Sequence, residues 1–398
     1  MAADALEALR EEMARRTRTQ AQDWYPTFRA RHAMQAVFET LREQRGQGEV
    51  ITQLLTCCTA VDPIIAAGLA PRYADISPRS LAIDGSAMTI SPKTRAVMLQ
   101  HTFGLFDPDG DEELVRRTHE AGVVVLEDCA HCAGHFSRGA DGHPLADVSF
   151  HSFGVQKMAA TDFGSLTWVN PRMADAGLRQ AIVEALAGLP VLSPRLERAA
   201  RNYDLQIRVL MKLPAKLRHS LSDSLSVREL YLPPVSSAER RGMVSLAPMR
   251  PSAWVCDHMQ TGLADLDFQE KRSLEATRIF ARELAPLAER GLLAIPAAAL
   301  ERERPLLRFP LVIEGEQRAD ALIEAIGAAQ CYCDSWGRPA LFPGVLDPSA
   351  YGLANTDDLS AWSETSRVVA GVVPLYTSVS PDEALTVSQV VKRFVSSS

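Results

Sequence analysis

An amine, two adjacent carboxylates and a hydroxyl fall close together in the stretch VVVLEDCAHCAGHFSRGADGHPLADVSFHSFGVQK, residues 123–157. The apolar residues Val123 to Leu126 read as a buried parallel strand. That strand ends on Glu127-Asp128, where the ligand-facing end of an α/β sheet belongs. Val148 to Phe153 alternates as a half-buried strand does, carries Ser152, and leads through a glycine-containing turn to Lys157. A lysine able to form a Schiff base and a carboxylate able to pair with a pyridinium nitrogen are what pyridoxal phosphate chemistry requires. Cys129 and Cys132 form a C-x-x-C in the same stretch, which invites a zinc or redox reading. Cys57 and Cys58 are adjacent and Cys331-x-Cys333 is too tight to supply a second ligand pair, so no metal is assigned.

The elements that must position these groups follow from periodicity and from helix start and stop signals. Ala3 to about Arg18 is a charged helix, read as an arm on the surface or on a partner subunit. Met34, Val37, Phe38 and Leu41 share a helical face that Gly46 stops. Glu49 to Leu55, Arg72 to Ile76 and Arg95 to Gln100 read as strands. Between them Asp62-Pro63 opens one helix and Asp111 caps another that ends at Gly122. Strand and helix alternate at the spacing of parallel βαβ units, which gives a mostly parallel sheet with helices on both faces. Gly164 to Asn170 is a strand turning back along that sheet.

From about 185 to 250 the alternation stops. Basic residues including Arg195, Arg208, Lys212 and Arg218 are interleaved there with Leu205, Val209 and Met211. The reading is a helical insertion with a solvated basic face; an acidic membrane or a polyanion on 195–218 is the sharper alternative. Phe268 to Glu289 is a long helix, Leu306 to Ile313 a strand, Gln317 to Ala328 a helix and Pro381 to Val395 the last helix.

Glu127-Asp128-Cys129-Ala130-His131, followed by Asp147, Phe150, Ser152, Phe153 and Lys157, resembles the cofactor core of the DegT/DnrJ/EryC1/StrS family of pyridoxal-phosphate-dependent sugar aminotransferases. The resemblance implies the type I aminotransferase fold: an α/β protein whose mostly parallel sheet is sandwiched by helices, with a smaller α+β C-terminal domain. It implies a large domain over 1–250, including the insertion, and a small one over 251–398. Arg367 to Tyr376 and Ser380 to Glu383 are similar to the family's closing strand and helix. Lys157 becomes the catalytic lysine and Asp128 the partner of the pyridine nitrogen. His131 contacts the cofactor's phenolic oxygen and Ser152 its phosphate, while Glu127 is structural.

Three positions depart from the family pattern. The phosphate-binding S-G-T falls near Ala30-Arg31-His32, where Arg31 or His32 would bind phosphate by charge. The aromatic that stacks on the cofactor falls at Thr56-Cys57, which puts Cys57 on that face. The motif carrying the partner subunit's asparagine is matched by Cys256-Asp257-His258-Met259.

The 398 residues suffice for two cores, and a net charge of -7 argues against nucleic acid as the partner. The charged N-terminal stretch has no apolar signal core and the seven cysteines are irregularly spaced, so a reducing cytoplasm is expected. The expected activity is transfer of an amino group, from glutamate, to a keto sugar carried on a nucleotide, by a homodimer, in polysaccharide or secondary-metabolite biosynthesis. A non-sugar ketone, a different reaction of the same cofactor, or a non-catalytic scaffold are the alternatives.

Overall fold

A computed structural model of the chain describes residues 2–159, 161–243, 245–301 and 303–396. The N-terminal half runs α1 (Ala2–Thr17), β1 (Trp24–Thr27), α2 (Ala30–Arg45), β2 (Glu49–Thr52), α3 (Cys58–Ala66), β3 (Ala70–Tyr73), β4 (Thr94–Gln100), α4 (Pro108–Glu120), β5 (Val124–Asp128), β6 (Val148–Ser152) and β7 (Ser165–Val169). These strands form one seven-stranded sheet in the order β1-β7-β6-β5-β4-β2-β3. Only β7 is antiparallel to its neighbours, so the chain turns back once, as expected after Lys157. Asp128 lies level with Gln100 on one side and Phe150 on the other, which brings the ends of β4, β5 and β6 to one edge.

Apolar side chains cover both faces of the sheet. On one, Val50, Met98, Leu126 and Phe150 pack with Val37, Phe38 and Leu41 of α2 and Val61 and Ile64 of α3. On the other, Ile51, Val97, Leu99 and Val125 meet Leu114 and Val115 of α4. All five residues of β6 are buried, so its alternation marks two different buried faces rather than one wet one.

After the sheet come α5 (Ala176–Gly188), α6 (Pro194–Arg201), α7 (Tyr203–Leu210) and α8 (Ala215–Val227), and the insertion is helical as read. No residue of α8 is fully buried. The 37-residue α9 (Ala253–Glu289) follows. It begins 15 residues before the expected Phe268, because Val255, Met259 and Leu263 pack against α1 and β7. The expected arm is thereby corrected: Leu9 and Met13 of α1 have no exposed surface and seat the helix against this same chain.

The C-terminal part adds α10 (Ala297–Leu300), β8 (Arg308–Val312), α11 (Glu316–Ala328), α12 (Ser363–Gly371), β9 (Val372–Tyr376) and α13 (Pro381–Ser396). β8 and β9 make a two-stranded antiparallel sheet whose core includes Phe280 and Leu284 from the far end of α9. Arg367 to Gly371 is thus helical and only Val372 onward is strand. Leu341, Tyr351 and Leu359 return to the large sheet and pack with α3.

Two expected helix starts are displaced. Cys57, not Asp62, stands at the N-cap of α3, and Pro63 lies inside the helix. Asp107 precedes α4 with Pro108 in its first turn. Asp111 instead lies buried in that turn and accepts the Ser137 hydroxyl at 2.5 Å. Among the described residues no helix is long and apolar enough to cross a membrane.

Candidate active site

At the ends of β4, β5 and β6 a cavity of about 340 Å³ opens, lined among others by Asp128, His131, Ser152, Lys157, Cys57 and Arg31. Six of the seven residues expected to hold or use a cofactor meet there, His32 being the exception. Asp128 closes β5 and Ser152 closes β6; Lys157 follows Gln156, whose φ of 59° turns the backbone sharply just before it.

The carboxyl of Asp128 accepts the Ala130 N–H at 2.9 Å. Burial raises its pKa, and the Ala130 N–H and the charge of Lys157 work against that rise. Lys157 has no hydrogen-bond partner among the described residues. Burial lowers the pKa of its amine, the charges of Asp128 and Cys57 oppose, and Arg308 and Arg31 add to the fall. An amine of this kind reaches its uncharged, nucleophilic form at a lower pH than a surface lysine.

His131 accepts the Phe103 N–H on Nδ1 at 2.9 Å. Burial, with Lys157 and Arg308 nearby, holds its pKa well below the usual range. The ring is therefore neutral and its proton sits on Nε2, which makes it a donor. Trp336 sets the orientation of the ring: the indole meets it nearly edge-on, with centroids 4.9 Å apart, and touches Phe103 at 5.0 Å. Sequence reasoning did not find Trp336. It reaches the cavity from a loop nearly 180 residues beyond the motif, and no spacing rule links the two.

The end of the cavity near β1 is cationic. Arg29 is the N-cap of α2, and Ala30 and Arg31 open that helix, so their N–H groups are free of helical partners. Arg29 Nη2 donates to the carbonyls of Leu232 and Pro233 at 3.1 Å each. Arg31 donates to the Pro234 carbonyl at 2.6 Å and pairs with the buried carboxylate of Glu239, held down to about 2 chiefly by Arg31 and Arg29 against its burial. His32 does not belong to this wall. One helical position on, it is 3% exposed, its ring lies 5.9 Å from that of Phe28, and burial with the two arginines presses it to about 3. Of the two residues expected to bind phosphate by charge, the structure puts only Arg31 in the cavity.

Glu127 is structural, as read. It is completely buried and accepts from His101 Nε2 at 2.8 Å, Ser137 N–H at 2.6 Å and the Ser149 hydroxyl at 2.6 Å. His101 Nδ1 lies 3.2 Å from the Leu105 carbonyl, so both ring nitrogens face acceptors and the ring carries a charge. Despite burial, the bond to Glu127 raises it to about 9. His101, Glu127 and Cys129 bring three ligand-type atoms within 4.8 Å. The histidine and the carboxylate are committed to one another, however, which leaves no free donor set for an ion. Cys129 and Cys132 lie buried with Phe106 in a small apolar cluster.

A lysine amine whose pKa is lowered by burial, a buried carboxylate, an imidazole with its proton on the free nitrogen, a hydroxyl and a cationic end suit a phosphorylated pyridine aldehyde. The donor set thus fits the pyridoxal phosphate expected from the sequence.

Residues 27–179 match the DegT/DnrJ/EryC1/StrS aminotransferase family. The chain is 30% identical over 125 residues to GDP-perosamine synthase of Caulobacter vibrioides, covering 31% of this chain and 33% of that one. It is 35% identical over 131 residues to the spore coat polysaccharide biosynthesis protein SpsC of Bacillus subtilis, covering 32% and 33%. These matches span only about a third of the relatives' own length. The crystal structure of 3-amino-5-hydroxybenzoic acid synthase superposes with a TM-score of 0.69 at 16% identity, over 99% of this chain and 91% of that one. The family match takes in Asp128 and Ser152 at the ends of β5 and β6 and Lys157 in the turn that follows, and the likeness of fold extends over 99% of the chain.

Proposed function

We propose that the chain is a pyridoxal-phosphate-dependent aminotransferase that passes an amino group, from glutamate, to a keto sugar carried on a nucleotide. The setting is polysaccharide or secondary-metabolite biosynthesis in the cytoplasm, and the enzyme works as a homodimer with domains divided near residue 250. The observation that carries this reading is the meeting of Lys157, Asp128, His131 and Ser152 in one cavity.

Pyridoxal phosphate, when bound, supplies an aldehyde that takes up an amino group and an electron-poor ring that stabilises the charge left by a departing proton. Lys157 gives the amine that holds the aldehyde. When free of the aldehyde, its Nζ would be the base that takes up and gives back the proton of the amino donor's α-carbon. Asp128 would keep a proton on the pyridine nitrogen, and His131 would donate from Nε2 to the phenolic oxygen. Ser152, Arg31 and the free N–H groups of α2 hold the phosphate.

Visible absorbance of the purified protein with added pyridoxal phosphate, before and after glutamate, tests the reading. A band that glutamate bleaches is expected, and Lys157→Ala should abolish both the band and turnover with an unchanged circular dichroism spectrum. One observation favours a second reading, a relative that has given up tight cofactor binding: Glu239 already neutralises Arg31. A protein that stays colourless in excess cofactor would sink the first reading in favour of the second.

A further inference from the structure

Cys57 and Cys333 are the two free cysteines that are not fully buried. Their surroundings are opposite. The thiol of Cys333 faces carbonyl oxygens, Asp334 at 3.7 Å and Pro374 at 3.8 Å, and burial beside Asp334 pushes its pKa up to about 12.

Cys57 is the N-cap of α3, where the helix presents its unpaired N–H groups and positive end. The Thr59 hydroxyl donates to its Sγ at 3.0 Å. The neighbouring Cys58 side chain, Thr59 and Arg31 lower its pKa against the effect of burial. Arg31 of α2 and Lys157 line the same cavity. Two carboxyls face this corner from behind. Glu239 is bound to Arg31, and Asp62 is raised by burial to about 8, so neither opposes a negative sulfur strongly.

We propose that Cys57 is a nucleophilic thiolate in the cofactor cavity, a covalent-modification site for soft carbon electrophiles, and that capping it closes the cavity to its ligand. The Thr59 hydroxyl on the sulfur, the helix end and the cavity opening carry the proposal, which goes beyond the aminotransferase reading. With iodoacetamide the sulfur lone pair attacks the methylene carbon, an S–C bond forms, and the C–I bond breaks with its electron pair leaving as iodide.

Limiting iodoacetamide at neutral pH on the full chain, with timed quenching and peptide mass spectrometry, reads the rate at each cysteine. Cys57 should be labelled about tenfold or more faster than Cys333. Thr59→Val should slow it, and added pyridoxal phosphate should protect it. Labelling of Cys57 at or below the rate of Cys333 overturns the thiolate. Alkylated protein should lose its capacity for added pyridoxal phosphate, read as the visible band, while iodoacetamide leaves Cys57→Ser at its own untreated level. Full binding after alkylation overturns the closure. A chain that never binds the cofactor refutes the closure and the aminotransferase reading together, and the labelling ratio then still decides the thiolate.

Discussion

Glu127 stays ionised without any contact with water because three donors, one of them the His101 cation, surround it. Its pKa is held below the usual carboxylate range by His101 and by the Ser137 and Ser149 donors, against burial. The pair sits one residue before Asp128 and one after Gln100, so it fixes two strand ends that frame the cavity. Because His101 is raised from 6.5 to about 9, its stabilisation is complete below pH 6.5 and fades as pH rises through 9. Urea unfolding midpoints should therefore fall over that interval, and His101→Gln should remove that part of the slope. The variant strands a buried carboxylate and should lose about 3–5 kcal/mol at pH 6.5. Glu127 was read as structural, and its three buried donors agree with that. His101 was not legible, since a lone histidine past a strand end carries no pattern. The Lys157, Asp128, His131 and Ser152 set was named from the motif's resemblance to the family, and the four residues line one cavity. His32 lies outside the cavity because the turn of α2 decides which of two neighbouring residues faces inward.

Elements were legible where one period dominates and misread where a partner far away in sequence decides. β4 and β5 carry continuous apolar runs, and with β2 they fell close to their expected places. Asp62-Pro63 carries a textual signal for a helix start, yet Cys57 takes the cap and α3 absorbs the proline. The acidic and basic residues of α1 suggested a solvated arm, but Leu9 and Met13 share a buried stripe against α9. A fully buried leucine of this kind makes Leu9→Ala a sharp test: a loss of about 2–5 kcal/mol is expected in chemical denaturation. An arm lying free on the surface would show a change within about 0.5 kcal/mol.

At the scale of the molecule, the C-terminal segment closes the large sheet's ligand edge. Leu341 N–H donates to the Leu54 carbonyl at 2.9 Å, Phe342 N–H to Thr56 at 2.8 Å, and Cys58 N–H to Phe342 at 2.9 Å. The Tyr351 hydroxyl bonds with the Asp62 carboxyl at 2.7 Å and with the Glu239 carbonyl, tying this segment to α3 and to the insertion at once. Tyr351→Phe leaves both partners buried and unsatisfied and should cost about 1–3 kcal/mol in thermal or urea unfolding. Cofactor capacity per folded molecule should fall with it, since Glu239 holds Arg31 in place. None of this was legible in sequence, because residues 54 and 341 meet only through the finished fold.

The wall of the cavity runs from Arg29 to Phe342. A chain emerging from the ribosome can thus lay down every strand of the large sheet and display Lys157 long before it owns an enclosed chamber. Until Trp336 and Phe342 have been synthesised, His131 lacks its indole neighbour and Cys57 lies uncovered on that side. Cofactor loading becomes a late event in the chain's biogenesis, and for most of translation the nascent protein is a scaffold waiting for its last wall.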